Sequence, residues 1–339
     1  MTIRVFAQAA CAVTLALLSA MPAHADFNDN KPVSYTVDGA TATGYFKVVT
    51  EAMNGIVREA YPGTDATYKP GSPAGGILNI SRGTSDFTFN AGATEVGYAL
   101  DGKAPFQESQ KGKFKFVMLL HSGLIMHSLM TKEWADKHGI KSFSDIAAKK
   151  PQMRLTVNTL ANLQSTVSMY QAVFDAYGIN VAEVTKIQPV FRSNAAGGFD
   201  AVRDGKIDVF INGGFLPTAE IVDINRGRPL MWVGGDPAKN KAAADRWTNT
   251  PITVPKGTYP FMAEDDVTIA LWNSIVAGAH VSDETVYKFV KALAQNEARM
   301  RAIHPTLKEF DIKKVSANPT KLDYHPGAAR YYKEVGLLK

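Results

Sequence analysis

Four short polar turns hold the residues of this sequence best placed to do chemistry. They read Thr43-Gly44-Tyr45, Ser72-Pro73-Ala74-Gly75-Gly76, Asn158 to Thr166, and Asn212-Gly213-Gly214-Phe215, and each precedes a helical pattern. A helix start offers unpaired backbone N–H groups and a partial positive charge, which together can hold a carboxylate without a full counter-charge. Glycines at such a start let the backbone come close to a ligand. The candidate contacts are therefore Tyr45, Ser72, Gly75, Gly76 and Asn79 on one side, and Asn158, Thr159, Ser165, Asn212, Gly213, Gly214 and Phe215 on the other. Asn90, which closes "DFTFN", joins the first group as a strand-end amide. Arg192 is a further cation that could grip a carboxylate bidentately. Each residue also has a plainer reading. The turns can be tight connections, Tyr45 and Phe215 core packing, Asn158 and Asn212 self-bonded turn amides, and Arg192 a solvated surface charge.

Catalytic patterns are missing. No HExxH, Walker loop, GxGxxG or GxSxG occurs. His121 and His127 can share one face of a strand, but no cysteine or acidic spacing completes a metal site, so both read as core or surface histidines. Asp265 and Asp266 are adjacent and point apart, which does not make an acid/base pair. His325, in "LDYHPGAARYYKEVGLL", could be a base or a ligand. Beside a Pro-Gly turn and a short amphipathic helix ended by Gly336, it reads better as architecture. The expectation is a binding protein, not an enzyme, with no metal and no cofactor.

The elements that would carry the turns alternate between strands and helices. "VSYTV" is strand-like, and the helix after it sets Phe46, Val49, Met53, Ile56 and Ala60 on one face. Ser72 caps a helix whose first residue is Pro73, and "DFTFN" is the next strand. "FKFVMLLHSGLIMHSLM" reads as a buried strand, a turn at the His121-Ser122-Gly123 break, and a second strand. Further on, "MRLTV" leads to a helix bearing Val167, Tyr170, Phe174 and Tyr177, stopped by Gly178. "FDAVRDG" is a helix, "KIDVFI" a strand, "TAEIVDIN" a helix and "PLMWVGG" a strand. Ser282 caps a helix lined by Val286, Phe289, Val290, Leu293 and Met300. Such alternation predicts an α/β fold with parallel sheets. Two units flank a cleft: residues 26–123 with 257–339, and an inserted unit over 124–256. The hinge is expected near Leu119–Leu124 and Pro255–Val267.

The chain begins with a targeting pattern. Arg4 precedes an apolar run from Val5 to Ala20, and Ala23-His24-Ala25 fits a cleavage site that leaves Asp26 first. This predicts export to a periplasm. The single cysteine, Cys11, lies in that leader, so the mature chain has no disulfide and no thiol nucleophile. The net charge of +5 is spread rather than clustered, which argues against nucleic acid and suits an anionic small molecule.

In order along the chain, "ATGYF", "GSPAGGILNI", "GKIDVFINGGFLPTAEI", "KGTYPFMAEDDVTIALWNSIVAGAHVSDETVYKFVKAL" and "HPGAARYYKEVG" resemble the TAXI family of extracytoplasmic solute receptors of TRAP transporters. The resemblance covers essentially the whole mature chain. It implies a type II periplasmic-binding-protein fold and a monomer that closes on a small organic anion, a dicarboxylate or acidic amino acid, and hands it to a TRAP permease. A sensory receptor serving a membrane kinase, or a periplasmic enzyme with dispersed groups, are the alternative readings. Two places depart from the family pattern. "NTLANLQST" puts Asn158 and Asn162 where glycines are usual, and "DFTFNAGATEVGYAL" takes a longer path to Tyr98.

Overall fold

In the computed structural model the described residues are 27, 29–40, 42, 45–158, 164–185, 191–193, 195–246 and 249–339. The expected leader and cleavage site, residues 1–25, fall outside them. So do Thr159 and the side chains of Asn158, Ser165 and Arg192.

Ten strands among the described residues join one mixed sheet. They are β1 (Ser34–Ala40), β2 (Asp65–Pro70), β3 (Phe87–Gly92), β4 (Phe114–Thr131), β5 (Leu155–Asn158), β6 (Phe191–Ser193), β7 (Val209–Gly214), β8 (Leu230–Trp232), β9 (Thr250–Val254) and β10 (Asp266–Gly278). The order is β2-β1-β3-β10-β4-β7-β5-β6, with β8 on β4 and β9 on β10. β1 pairs in parallel with β2 and β3, and β5 in parallel with β6 and β7. Between these parallel groups, β4 and β10 run antiparallel from one half of the molecule into the other.

The first half buries two apolar layers against its strands. One joins Tyr35, Val49, Met53, Phe87, Phe289, Leu293 and Tyr332; the other joins Ile77, Phe106, Phe116 and Trp272. The second half has its own layers, around Met169, Phe174 and Tyr177 and around Phe210, Ile221 and Trp232. Tyr259, Met262, Ile269 and Leu271 pack with the second half. Trp272 and Val276, farther along β10, pack with the first half.

The expected turn at His121-Ser122-Gly123 is not there. β4 is a single strand of 18 residues. It pairs with β10 on both sides of the break, Leu119 with Ser274, His121 with Asn273 and Leu124 with Leu271, through shifts in register. Ser122 and Gly123 are exposed, because neither half's helices cover the strand where it passes between them. Polar residues inside an apolar run here mark a gap in the covering layers rather than a reversal of the chain. A second correction concerns Met300. The helix capped by Ser282 ends at Ala294, and Met300 lies on a separate helix, Glu297–Ile303. Asn296 breaks the two apart by donating from its amide to the Ala292 carbonyl, 2.9 Å away.

The C-terminus is docked as the sequence suggests. The helix Pro326–Glu334 packs on Asp283–Ala294, and the residues before it pair with β4 through Phe116. His325 is the helix N-cap. Its Nδ1 accepts from the Gly327 N–H at 3.3 Å, and its Nε2 lies 3.1 Å from the Val281 carbonyl. A neutral ring with the proton on Nε2 satisfies both contacts, and burial lowers its pKa. Tyr332 donates to the Val117 carbonyl at 2.9 Å.

Candidate functional site

The expected site residues divide into two kinds. Several are occupied by the scaffold itself. Ser72 caps α2 (Pro73–Ser81) by accepting from the Gly75 N–H. The Asn79 amide donates to the Asp38 carboxylate at 2.5 Å, and the Asn90 amide reaches the Gly39 carbonyl at 3.4 Å. A Cβ on Gly76 would sit 2.7 Å from the Gly39 Cα, and one on Gly214 would sit 2.9 Å from the His127 ring. Both glycines are accounted for by packing of chain on chain. Gly213 is half-buried in the β7 end, opposite Met126 of β4.

The others point to a boundary between the halves. Tyr45 opens the helix Tyr45–Ala60 of the first half, and Phe215 follows β7 of the second. Their ring centroids are 4.9 Å apart. The Tyr45 hydroxyl accepts from the Thr306 hydroxyl at 3.0 Å. Burial pushes the phenol up to about 12, so it keeps its proton at neutral pH. Asn212 is buried beside His127 on β4, and its Oδ1 has no partner among the described residues. Asn158 ends β5, while its side chain, Thr159 and the side chain of Ser165 are outside the described set.

Sequence reasoning missed His121 as a site residue. Its ring lies 5.5 Å from Tyr45 and 5.1 Å from Phe215, at the point where β4 passes from one half to the other. Only 5% of it is exposed, and neither ring nitrogen has a partner among the described residues. Burial drops its pKa to about 3, with His304 adding to the shift, so the imidazole is neutral. His121 is among the residues lining a cavity of about 650 Å3, bounded by Leu119–Gly123 of β4, Phe215–Pro217 of the second half and His304–Phe310 of the first. His304 is 4.8 Å from Tyr45, and Lys308 and Lys314 stand exposed at the mouth. The one sequence signal that could have found His121 was the polar break in the apolar run.

The other residues with possible chemistry are held apart from this site. His127 Nε2 meets the Tyr259 hydroxyl at 2.7 Å in the core of the second half. Asp265 accepts from the Lys256 N–H and Asp266 from the Gly235 N–H, in different directions. Among the described residues no three His, Cys, Asp or Glu side chains gather to hold a metal, and no helix is long and apolar enough to cross a membrane. A second contact between the halves joins Tyr98, on the helix Ala93–Asp101, to Ser168, on Gln164–Tyr177, with hydroxyls 3.3 Å apart.

The sequence model of the NMT1-like family matches residues 38–336. MatC from Rhodopseudomonas palustris, solved with bound malate, is similar in structure, with a TM-score of 0.50 and 13% identity over 81% of this chain and 88% of its own. A binding-protein component of an ABC phosphonate transporter from Pseudomonas aeruginosa gives a TM-score of 0.48 and 12% identity, over 82% of this chain and 79% of that one. At 13% identity the likeness to MatC is one of fold, and it agrees with the expected architecture, two α/β domains of the type II periplasmic-binding-protein class.

Proposed function

The chain belongs to the NMT1-like family, and we propose that it acts as an exported solute-binding protein of the TAXI kind that captures a small organic anion between its halves and delivers it to a TRAP-type permease. The observation that carries this reading is the meeting of Tyr45 and Phe215 across the boundary, beside a cavity of about 650 Å3. That volume lies within the usual range for small-molecule sites. A pocket whose walls come from two bodies joined by two strands can open and close by bending those strands. A solute that touches both walls then stabilises the closed form by its differential contacts. We place the solute against Tyr45, Asn212 and Phe215, and we extend the second domain from residue 124 to about Leu271, where β10 leaves its core. The leader would be cut after Ala25, which makes the mature protein periplasmic. No step of this reading needs catalysis or a cofactor.

The test is a thermal-shift screen of dicarboxylates and amino acids on the mature chain, followed by calorimetry and small-angle scattering of each hit. Binding at one equivalent with a fall in radius of gyration supports the proposal. Turnover of a ligand by the isolated protein, or an unchanged scattering profile at saturation, defeats it.

A further inference from the structure

Resting on the solute-binding reading above, we infer that His121 reads the buried end of the solute, and that this end carries a neutral group able both to donate and to accept a hydrogen bond, a hydroxyl or a carboxamide, while a carboxylate faces Lys308 at the mouth. The position of His121 is the first argument. Its ring is packed by Tyr45 and Phe46 from the first half and by Phe215 from the second, so a solute that parts Tyr45 from Phe215 arrives against it. The second argument is its empty hydrogen-bonding capacity. A neutral imidazole has one N–H donor and one acceptor nitrogen. In His121 both are buried and unpartnered among the described residues, and a polar group left so is destabilising unless something supplies the missing partners. His127 and His325, also buried, each have ring contacts of 2.7–3.3 Å. His121 is thus the exception within one class of residue.

The chemistry of the missing partner follows from that vacancy. A hydroxyl or a carboxamide can meet whichever ring nitrogen faces it, as donor or as acceptor, whereas a carboxylate can only accept and would be buried among Leu119, Leu120, Phe215 and Leu216, away from Lys308. The neighbouring Tyr45 hydroxyl accepts from Thr306 and keeps its own proton to give, which adds a donor next to the imidazole. Charge is provided for at the other end of the cavity. Lys314 is tied to Glu309 at 3.4 Å, whereas Lys308 has no ion-pair partner among the described residues. A cation at the mouth and a neutral donor–acceptor at the inner wall select a hydroxy acid or an acid amide over a plain diacid.

Calorimetry with matched acids tests this: malate against succinate, and glutamine against glutamate, titrated into the wild-type mature protein, His121→Phe, His121→Gln and Lys308→Ala. The hydroxylated or amidated member of at least one pair should bind the wild type at least tenfold more tightly than its counterpart. His121→Phe should erase that preference. His121→Gln, which keeps a donor and an acceptor, should retain part of it, and it guards against a phenylalanine variant that fails to fold. Lys308→Ala should weaken both members of a pair alike. Binding without preference, or a preference that survives His121→Phe, overturns the inference and leaves the solute-binding reading intact. Failure of the wild type to bind any of the four acids also overturns the inference, while the solute-binding reading stands or falls on the wider screen.

Discussion

His325 and His121 are buried to nearly the same degree, at 1% and 5% exposed, one beside β4 and the other on it, yet they are built differently. Around His325 the ring nitrogens, the helix start at Gly327 and the Tyr332 hydroxyl each have a partner, and these contacts fix the C-terminal helix. Around His121 the rings of Tyr45, Phe46 and Phe215 close in and offer nothing to either nitrogen. Buried polar groups that are fully satisfied rigidify a fold, and ones that are not need a reason. The first region can be understood without a ligand. The second leaves both ring nitrogens unmet among the described residues, which is where the inferred contact to the solute would fall.

The largest effect that would break this comparison is acid. Burial lowers the pKa of His121 and of His127 to about 3 each, while an unfolded chain takes up those protons near 6.5. The unfolded state therefore binds more protons between pH 6.5 and 3, and native stability falls as pH drops through that window. At pH 5 the loss should reach about 4 kcal/mol for the two histidines together, relative to neutral pH. Urea unfolding at both pH values measures it, and His121→Phe should recover about half. Recovery of nothing would mean that His121 is already solvated in the native protein.

Next in size is Gly327→Ala. A Cβ there would collide with the Asp283 carbonyl oxygen, so the C-terminal helix must shift off its neighbour. The expected cost is about 2–3 kcal/mol of unfolding free energy, with solute affinity unchanged in the protein that remains folded. Phe215→Ala should do the reverse, weakening solute binding by about 1–2 kcal/mol in calorimetry with a much smaller change in stability, since Phe215 is only half-buried. The sharpest form of the comparison is a difference of sign. His325→Ala removes a satisfied cap and should destabilise the solute-free protein by about 1 kcal/mol. His121→Phe removes two unmet polar atoms from an aromatic nest and should stabilise it by about 1 kcal/mol, read from the same unfolding curves. The smallest effect is that of Ser168→Ala, which deletes the contact to Tyr98 between the halves and should lower solute affinity by about 0.5 kcal/mol through a less populated closed form.

Much of this was legible in the sequence where local chemistry decides. Ser72 and Ser282 cap helices where their spacing placed them, and both accept from the N–H three residues on. Gly178 takes a left-handed φ of 69° and ends its helix as read. Tyr45 and Phe215 could be singled out because each follows a strand exit. What could not be read is what lies against a residue from far along the chain. Gly76 and Gly214 looked like places for a ligand, but the partners that need the space are Gly39 and His127. The polar break at His121 looked like a turn, because its pairing with Asn273 on β10 links residues distant in the chain. Polarity within a strand carries no mark that separates a reversal from a stretch left uncovered.

That uncovered stretch has a mechanical consequence. Because β4 is continuous from Phe114 to Thr131 and is laddered to β10 on either side of Ser122, the two bodies are not hung on slack connectors. They are mounted on a two-ply leaf spring, which stores energy when flexed and resists twisting about its length. Under the proposed closure, such a mounting would restrict the motion to one soft bending direction and return the empty protein to a fixed rest angle. It also transmits strain, so loss of order in either body should loosen the other and the whole chain should melt in one transition. Hydrogen exchange would locate the flexing point directly, with the amides of Ser122 and Gly123 exchanging ahead of the ladder on both sides.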